Sequence, residues 1–366
     1  METIVSTMPI KPQKQTNIGM MIAPTIMEYL GDSLKAHKVL ATNTLNTYTD
    51  KDSELSTYVN DILTNGIICD EIFNDKQEVN QILMLILQMI DKKIIKLTTE
   101  RIMKCDCHRV DILENAIRNF SDGKLYKRDE TGKYICSFCG KECKIYTEDV
   151  LTLPFEKEKM RKIDITPIFL EKEIQQFEDK FNQSKILISK TRDTGYYVYK
   201  DGKKYNIDID FIWMNFSNLL QSDRKILIAS NHQLLKMFIM NYINGVSTNQ
   251  NLVFIAHPYM KTTNLEIIQK IYNQVPDAYF KKLFILYQLN WDKKTCNYSD
   301  SVIKYLSNIS NTRRLNLYRS IIELSEEFAL INYCYDEYGE FINKMIKRNI
   351  NMQKNIEHSK KYVRRR

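Results

Sequence analysis

The sequence predicts a doubly wound α/β fold that is interrupted by a cysteine-rich insertion and followed by a helical region. Three observations carry that expectation. The first fifty residues run strand, loop, helix, strand; five of the eight cysteines crowd into residues 105–143; and a second α/β stretch beyond residue 180 gives way to helical patterning from Leu265. The implied boundaries are 1–95 and 156–258 for two halves of one sheet domain, 96–155 for the insertion, and 259–366 for the helical region and its tail.

Thr3 to Met8 is β-branched and apolar, as a buried strand requires, and the polar run Lys11 to Asn17 reads as a loop. Ile26, Leu30 and Leu34 recur at helical spacing behind Pro24, a residue that helices accept in their first turn. Leu45 to Thr49 reads as the second strand, ending in Asp50-Lys-Asp52. That completes a β-α-β unit, whose ligands gather at the carboxyl ends of its strands. Asn80 to Ile90 is a strongly apolar helix, and Ile94 to Leu97 opens the cysteine module, which closes near Pro154. Phe169 to Phe181 is helical and Ile186 to Ser189 a short strand. Asp201-Gly202 turns a hairpin that pairs Tyr196–Tyr199 with Tyr205–Ile207. An aromatic segment, Phe211 to Leu219, leads into a strand at Lys225–Ala229, a helix at Gln233–Ile243 and a strand at Leu252–Ala256 ending in His257-Pro258. Helices follow at Leu265–Tyr272, Ala278–Leu289, Ser299–Leu306 and from Arg314, and no internal repeat occurs.

The cysteine cluster reads Cys105-Asp-Cys107-His108, then, 27 residues on, Cys136-Ser-Phe-Cys139-Gly140-Lys-Glu-Cys143. Clustered thiols outside a secreted disulfide framework argue for a metal. A C-x-x-C turn followed by glycine lets two thiolates converge on one tetrahedral ion, which is the geometry zinc requires. Cys136 and Cys139 form such a knuckle, and its partner is either Cys105 with His108 or Cys105 with Cys107. With five cysteines and one histidine competing for four places the ligand set stays open, and nothing marks an open catalytic position. The expected cofactor is structural zinc.

Several classes are excluded. The longest mostly apolar stretch, Ile82 to Ile90, falls far short of the roughly 20 residues a bilayer span needs. The start, Met-Glu-Thr-Ile, lacks the basic and apolar regions of a secretory signal, so a cytoplasmic location is expected. Neither G-x-G-x-x-G nor the P-loop pattern occurs, so no glycine-rich loop cradles a phosphate. The net charge of +8 equals the excess carried by Lys344 to Arg366, where nine basic residues meet one acidic, and the rest of the chain is balanced. Such a tail, ending in Arg364, Arg365 and Arg366, either grips RNA phosphates by counterion release or is a solvated helix end with a frayed terminus.

Several strings stand in a telling order: Ile4-Val-Ser-Thr-Met-Pro-Ile10, Leu45-Asn-Thr-Tyr-Thr-Asp-Lys-Asp52, the cysteine module, Ile186-Leu-Ile-Ser-Lys190, Phe211-Ile-Trp-Met-Asn215, His257-Pro-Tyr259 and Val275-Pro-Asp-Ala-Tyr-Phe-Lys-Lys-Leu-Phe-Ile-Leu-Tyr287. Their colinearity resembles the catalytic half of class I aminoacyl-tRNA synthetases, nearest the methionyl type, over residues 3 to 330. The resemblance implies a split Rossmann-like parallel sheet with a zinc-knuckle insertion and a stem-contact-like helical region. It also places Met8, Asp52, Trp213, Asn215, His232 and His257 around an amino-acid pocket. Each has an ordinary alternative: Trp213 as core, Asp52 as a helix N-cap, the two histidines as structural residues.

The departures weigh as much as the matches. In that family His-Ile-Gly-His at the first helix and Lys-Met-Ser-Lys-Ser handle ATP. The counterparts here, Met21-Ile-Ala-Pro24 or the shifted Asn17-Ile-Gly-Met20, hold no histidine, and the second motif's loop reads as deleted, with Lys261 left as a candidate phosphate or RNA contact. Ser230-Asn231-His232 replaces Gly-Lys-Asp, and Asn215 stands where an acid is expected. Losing a preorganised charge group from such a site typically costs about 3–4 kcal/mol of transition-state stabilisation. The expected function is therefore a synthetase-like paralogue without amino-acid activation that binds tRNA or another RNA, a protein, or an amino-acid ligand. Two alternatives stand beside it: an enzyme that uses the pocket for aminoacyl transfer or ligation, and an unrelated zinc-containing α/β protein.

Overall fold

A computed structural model describes residues 3–296, excepting 46–51, 108–109, 119–125, 191–194, 249, 261–264, 274–277, 279–280, 283–284, 286–288 and 290–293. The expected helices at Ser299–Leu306 and beyond Arg314, and the basic tail, lie outside the described residues.

The chain opens with β1 (Thr3–Thr7), α1 (Ile18–Leu34) and β2 (His37–Thr42). The second strand therefore lies before the expected Leu45–Thr49: Leu45 is in a loop, 46–51 lie outside the described residues, and Asp52 is the first residue of α2 (Asp52–Thr64) rather than a strand end. The buried run Val39-Leu-Ala41 carries β2, its lysine and histidine ends disguising a central strand. Helix α1 is also longer than expected. Pro24 sits in its interior, and Asn17 is the N-cap, its side chain accepting from Met20 N.

Then follow β3 (Glu71–Asn74) and α3 (Val79–Asp91), whose buried Val79, Ile82, Ile86, Met89 and Ile90 fall on one helical face. The insertion holds β4 (Lys96–Lys104), β5 (Val110–Ile112), α4 (Leu113–Arg118), β6 (Tyr126–Arg128), β7 (Tyr134–Cys136) and β8 (Lys144–Pro154). The chain returns through β9 (Asp164–Thr166), α5 (Glu171–Phe181), β10 (Lys185–Leu187), the hairpin β11 (Tyr197–Lys200) and β12 (Lys203–Asn206), and α6 (Ile209–Met214). It ends in β13 (Arg224–Ser230), α7 (Leu234–Ser247), β14 (Asn251–His257) and α8 (Leu265–Asn273).

Six strands form one parallel sheet in the order β3-β2-β1-β13-β14-β9. Residues of one strand alternate between two apolar layers. Ile4, Leu227, Ala229 and Phe254 face a layer built with α3, α5, α6 and α7. Val5, Ile226, Ile228, Val253 and Ile255 face one built with α1, α2 and α8. Burial on both faces explains why β13 reads Ile-Leu-Ile-Ala without polar alternation. Each large apolar side chain in these layers contributes about 1.5–3 kcal/mol of burial. The strand order reverses between β1 and β13, and it is there that a crevice opens outside the carboxyl ends of a doubly wound sheet.

A second, antiparallel sheet runs β10-β8-β4-β5. The strand expected at Ile186–Ser189 thus joins the insertion's sheet as β10 rather than the parallel one. Strands β4 and β8 stay paired from Lys96↔Thr152 to Lys104↔Lys144. At about 3.4 Å per residue, this ribbon carries its tip about 27 Å from its base.

Candidate functional site

At the switch point lies a cleft of about 530 Å³, walled by the segments that leave β1, β13 and β14. Its first wall is Met8 to Lys11. Met8 N donates to Ile228 O (2.8 Å), Thr7 Oγ1 accepts from Ala41 N (2.9 Å), and Ile10 N donates to Ala41 O (3.0 Å), so the chain leaving β1 is stitched to both neighbours. Its floor is Ile228, Ala229 and Ser230, with His257 at the end of β14. Burial holds His257 down to about 4, so its ring is neutral near pH 7, and Nδ1 lies 2.9 Å from Pro258 O.

Helix α6 supplies the third wall. Asp208 caps it, accepting from Asp210 N (3.3 Å) and pairing with Lys190. Asp210 accepts from Trp213 Nε1 (3.1 Å) and stands 3.8 Å from Lys236, whose Nζ lies 4.6 Å from the Trp213 ring centre. Trp213 belongs to the core and also lines the cleft. The cleft thus contains three lysines and two aspartates, and Lys11 at its rim is the lysine with no carboxylate partner among the described residues.

The fourth wall is the start of α1, through Gly19, Met20 and Ala23. The string Asn17–Met20 occupies the helix N-terminus, and Met21–Pro24 comes after it. Amides at such an end normally await an anion. Here Ile18 N donates to Gln269 Oε1 of α8 (2.8 Å), and Met20 N is taken by Asn17 through its side chain (3.3 Å) and carbonyl (3.0 Å).

Of the residues singled out from sequence, Met8, Trp213 and His257 line the cleft. Asn215 does not: it is fully buried at the end of α6, donating to Phe211 O (2.8 Å) and accepting from Asn218 (3.2 Å). His232 is exposed, 5.6 Å from the Tyr259 ring, and is not among the lining residues. Lys261, Arg364, Arg365 and Arg366 lie outside the described residues. Sequence reasoning passed over Asp208, Asp210, Lys236 and Gln269, and gave Lys190 no role of its own beyond its place in the Ile186–Lys190 string. An aspartate N-cap two residues before Asp210, itself three before Trp213, is a legible helix-start signal, whereas nothing local marks Gln269.

The second site lies at the far end of the β4–β8 ribbon. The Sγ atoms of Cys105, Cys107, Cys136 and Cys139 all lie within 4.8 Å of one another, with Cys105–Cys139 at 3.2 Å and Cys107–Cys136 at 3.6 Å. Four thiolates about 2.3 Å from a common ion stand about 3.8 Å apart in a tetrahedron, so the four fit one metal ion. The knuckle turns through Gly140 (φ 71°), where nothing would crowd a Cβ, and Gly140 N donates to Cys136 O (2.9 Å). Cys143 packs beside them, its thiol pushed up to about 11 by burial, and His108 lies outside the described residues.

Comparison with solved structures finds the same fold in methionyl-tRNA synthetase of Mycobacterium tuberculosis. In complex with methionyl-adenylate, it matches at TM-score 0.59 and 11% identity over 85% of this chain and 69% of that one. A second methionyl-adenylate complex matches at 0.60 and 11%, with the same coverage. The apo form matches at 0.57 and 13%, over 83% and 65%. No protein-family model matches the sequence, and no curated protein matches it. The chain has the class I synthetase-like fold that the order of its strings implied, and the likeness is one of fold.

Proposed function

We propose that this class I synthetase-like chain is a binding protein rather than an ATP-dependent ligase, its cleft taking a small ligand and its macromolecular partner being an RNA. One observation carries the reading: at the start of α1, where a nucleotide phosphate would approach the helix end, the amides of Ile18 and Met20 already have partners within the chain. The cleft's charge agrees. Lys190 and Lys236 are matched by Asp208 and Asp210, which leaves Lys11 to oppose the roughly four negative charges of a triphosphate. The ion of the cysteine cluster is taken to be zinc in a structural role, since thiolate-only tetrahedra suit it. The basic C-terminal run supplies phosphate contacts, and the setting is the cytosol.

The test is ATP–pyrophosphate exchange with each of the twenty amino acids: none should exceed background, and measurable exchange overturns the reading. Thermal denaturation with amino acids, aminoacyl-sulfamoyl adenosines and bulk tRNA identifies the ligand. A compound at 100 times its dissociation constant adds about 2.7 kcal/mol.

The cleft's volume, well within the range of small-molecule sites, favours a second reading, in which the pocket transfers an aminoacyl group from tRNA to the amine or hydroxyl of a small molecule, the ester bond breaking and the tRNA leaving with its terminal hydroxyl. Loss of radiolabelled amino acid from aminoacyl-tRNA, dependent on Trp213 and Asp210, would select it over simple binding.

A further inference from the structure

We propose that the β11–β12 hairpin is a stacking platform for single-stranded RNA. This deepens the RNA part of the function proposed above and makes no use of the cleft. Pairing of Tyr199 with Lys204 and of Tyr197 with Asn206 puts both tyrosines and Lys204 on one face of the ribbon. Tyr197 is 43% exposed and Tyr199 61% exposed. Their rings meet edge to face, 5.5 Å apart at 82°, and Lys204 Nζ lies 4.0 Å from the Tyr197 ring centre. On the opposite face Val198 and Tyr205 are buried in the main core, so the hairpin is anchored from behind. Its two-residue turn, Asp201-Gly202, takes positive φ at both positions (50° and 74°), the geometry that matches strand twist.

Charge selects the occupant. Lys200 and Lys203 reach Asp91 and Asp149 only at 3.6 and 3.8 Å, exposed pairs that a phosphate can replace at little cost. Lys92 and Lys93 follow Asp91 directly and, like Lys204, have no carboxylate partner among the described residues. Lys204 shares the tyrosines' face, while Lys200 and Lys203 stand on the ribbon's other face beside its turn, so two rings with cations at their face and edge suit a polyanion whose units carry rings. A protein partner would call for a broader apolar surface than two rings. Unpaired bases offer faces to tyrosine and phosphates to lysine, whereas a duplex hides those faces.

The experiment is fluorescence anisotropy of the full-length chain with a labelled twelve-nucleotide single-stranded RNA and with a duplex of the same length. The single strand should bind more tightly than the duplex. Tyr199→Ala should weaken binding by about 5- to 100-fold, and Tyr199→Phe, which keeps the ring, should change it by no more than about twofold. Lys204→Gln should lower the slope of log affinity against log salt by about 0.7. All three positions are exposed, so melting temperature should hold. If the double variant Tyr197→Ala/Tyr199→Ala binds like wild type, the platform is wrong while an RNA-binding role survives; if the unaltered chain binds no RNA, both fall; equal binding of duplex also overturns the platform.

Discussion

Tyr58 shows how a single side chain lets a helix keep a proline. Pro24 has no N–H for the Met20 carbonyl one turn back, a lack that ordinarily kinks or breaks a helix. The hydroxyl of Tyr58, a fully buried side chain on α2, donates to that carbonyl at 3.1 Å. Tyr58→Phe should therefore cost about 1 kcal/mol by urea unfolding, since it removes the partner of a half-buried acceptor. In a Pro24→Ala background the restored amide serves Met20, and the same change should cost less than half as much; additive costs would refute the account. Two other buried groups set opposing acid slopes. His257, held near 4 against an ordinary 6.5, refuses a proton that the unfolded chain accepts, so stability falls as pH drops through that window. Asp75, pushed up to about 6 by burial although Thr44 N and Leu45 N donate to it, takes its proton first in the folded chain. Its contribution grows as pH falls from 6 towards 3.8. Between pH 4.5 and 7, His257→Asn should remove the acid-side loss and Asp75→Asn the acid-side gain. Single-residue roles were only partly legible in the sequence: Asn215 fitted a pocket string but caps a helix, because an amide's partners are decided by tertiary contacts that periodicity does not encode.

At the scale of elements, the contact between α1 and α8 joins segments some 250 residues apart through one amide, Ile18 N to Gln269 Oε1. Gln269→Ala should lower stability by about 1 kcal/mol, the usual net worth of such a bond, whereas exposed Lys172→Ala should be silent. Further along the chain, Lys282 Nζ donates to buried Glu28 of α1 (2.8 Å) and to Gly66 O just beyond α2 (2.9 Å). Glu28→Ala, which leaves a lysine without its counter-charge, should destabilise by about 3 kcal/mol in thermal melts, and a neutral result would show the pair to be ornamental. Helices with strong 3.6-residue patterning were legible, as in α3 and α7, and so were the apolar strands β13 and β14 and the hairpin turn at Asp201-Gly202. Strand β2 was not: its apolar run is three residues long, and the neighbouring Leu45–Thr49 offers more β-branched and aromatic character to a reader of propensities.

For the molecule as a whole, the parallel sheet and the cysteine cluster are built as separable bodies, one packed on both faces, the other held at the tip of a two-stranded ribbon. Treating the chain with a chelator, to strip the metal proposed for the cysteine cluster, or replacing Cys139 with serine, should raise hydrogen exchange from Cys105 to Cys143 while β1, β13 and β14 keep their protection. Loss of protection across the sheet would mean that the two bodies fold together. The order of elements revealed the parallel sheet, but not that β10 would leave it for the ribbon's sheet, since strand partners are chosen by register and geometry across the chain rather than by local sequence.

The bond from Gln269 to Ile18 also constrains this chain's descendants. A histidine introduced by Met20→His would enter a helix end whose amides already have partners, so that change alone should yield no nucleotide turnover. Gln269 would have to go first, at a cost in folding and with no immediate benefit. A lineage in that position is held as by a ratchet, and the route to an open helix end runs through a weaker intermediate.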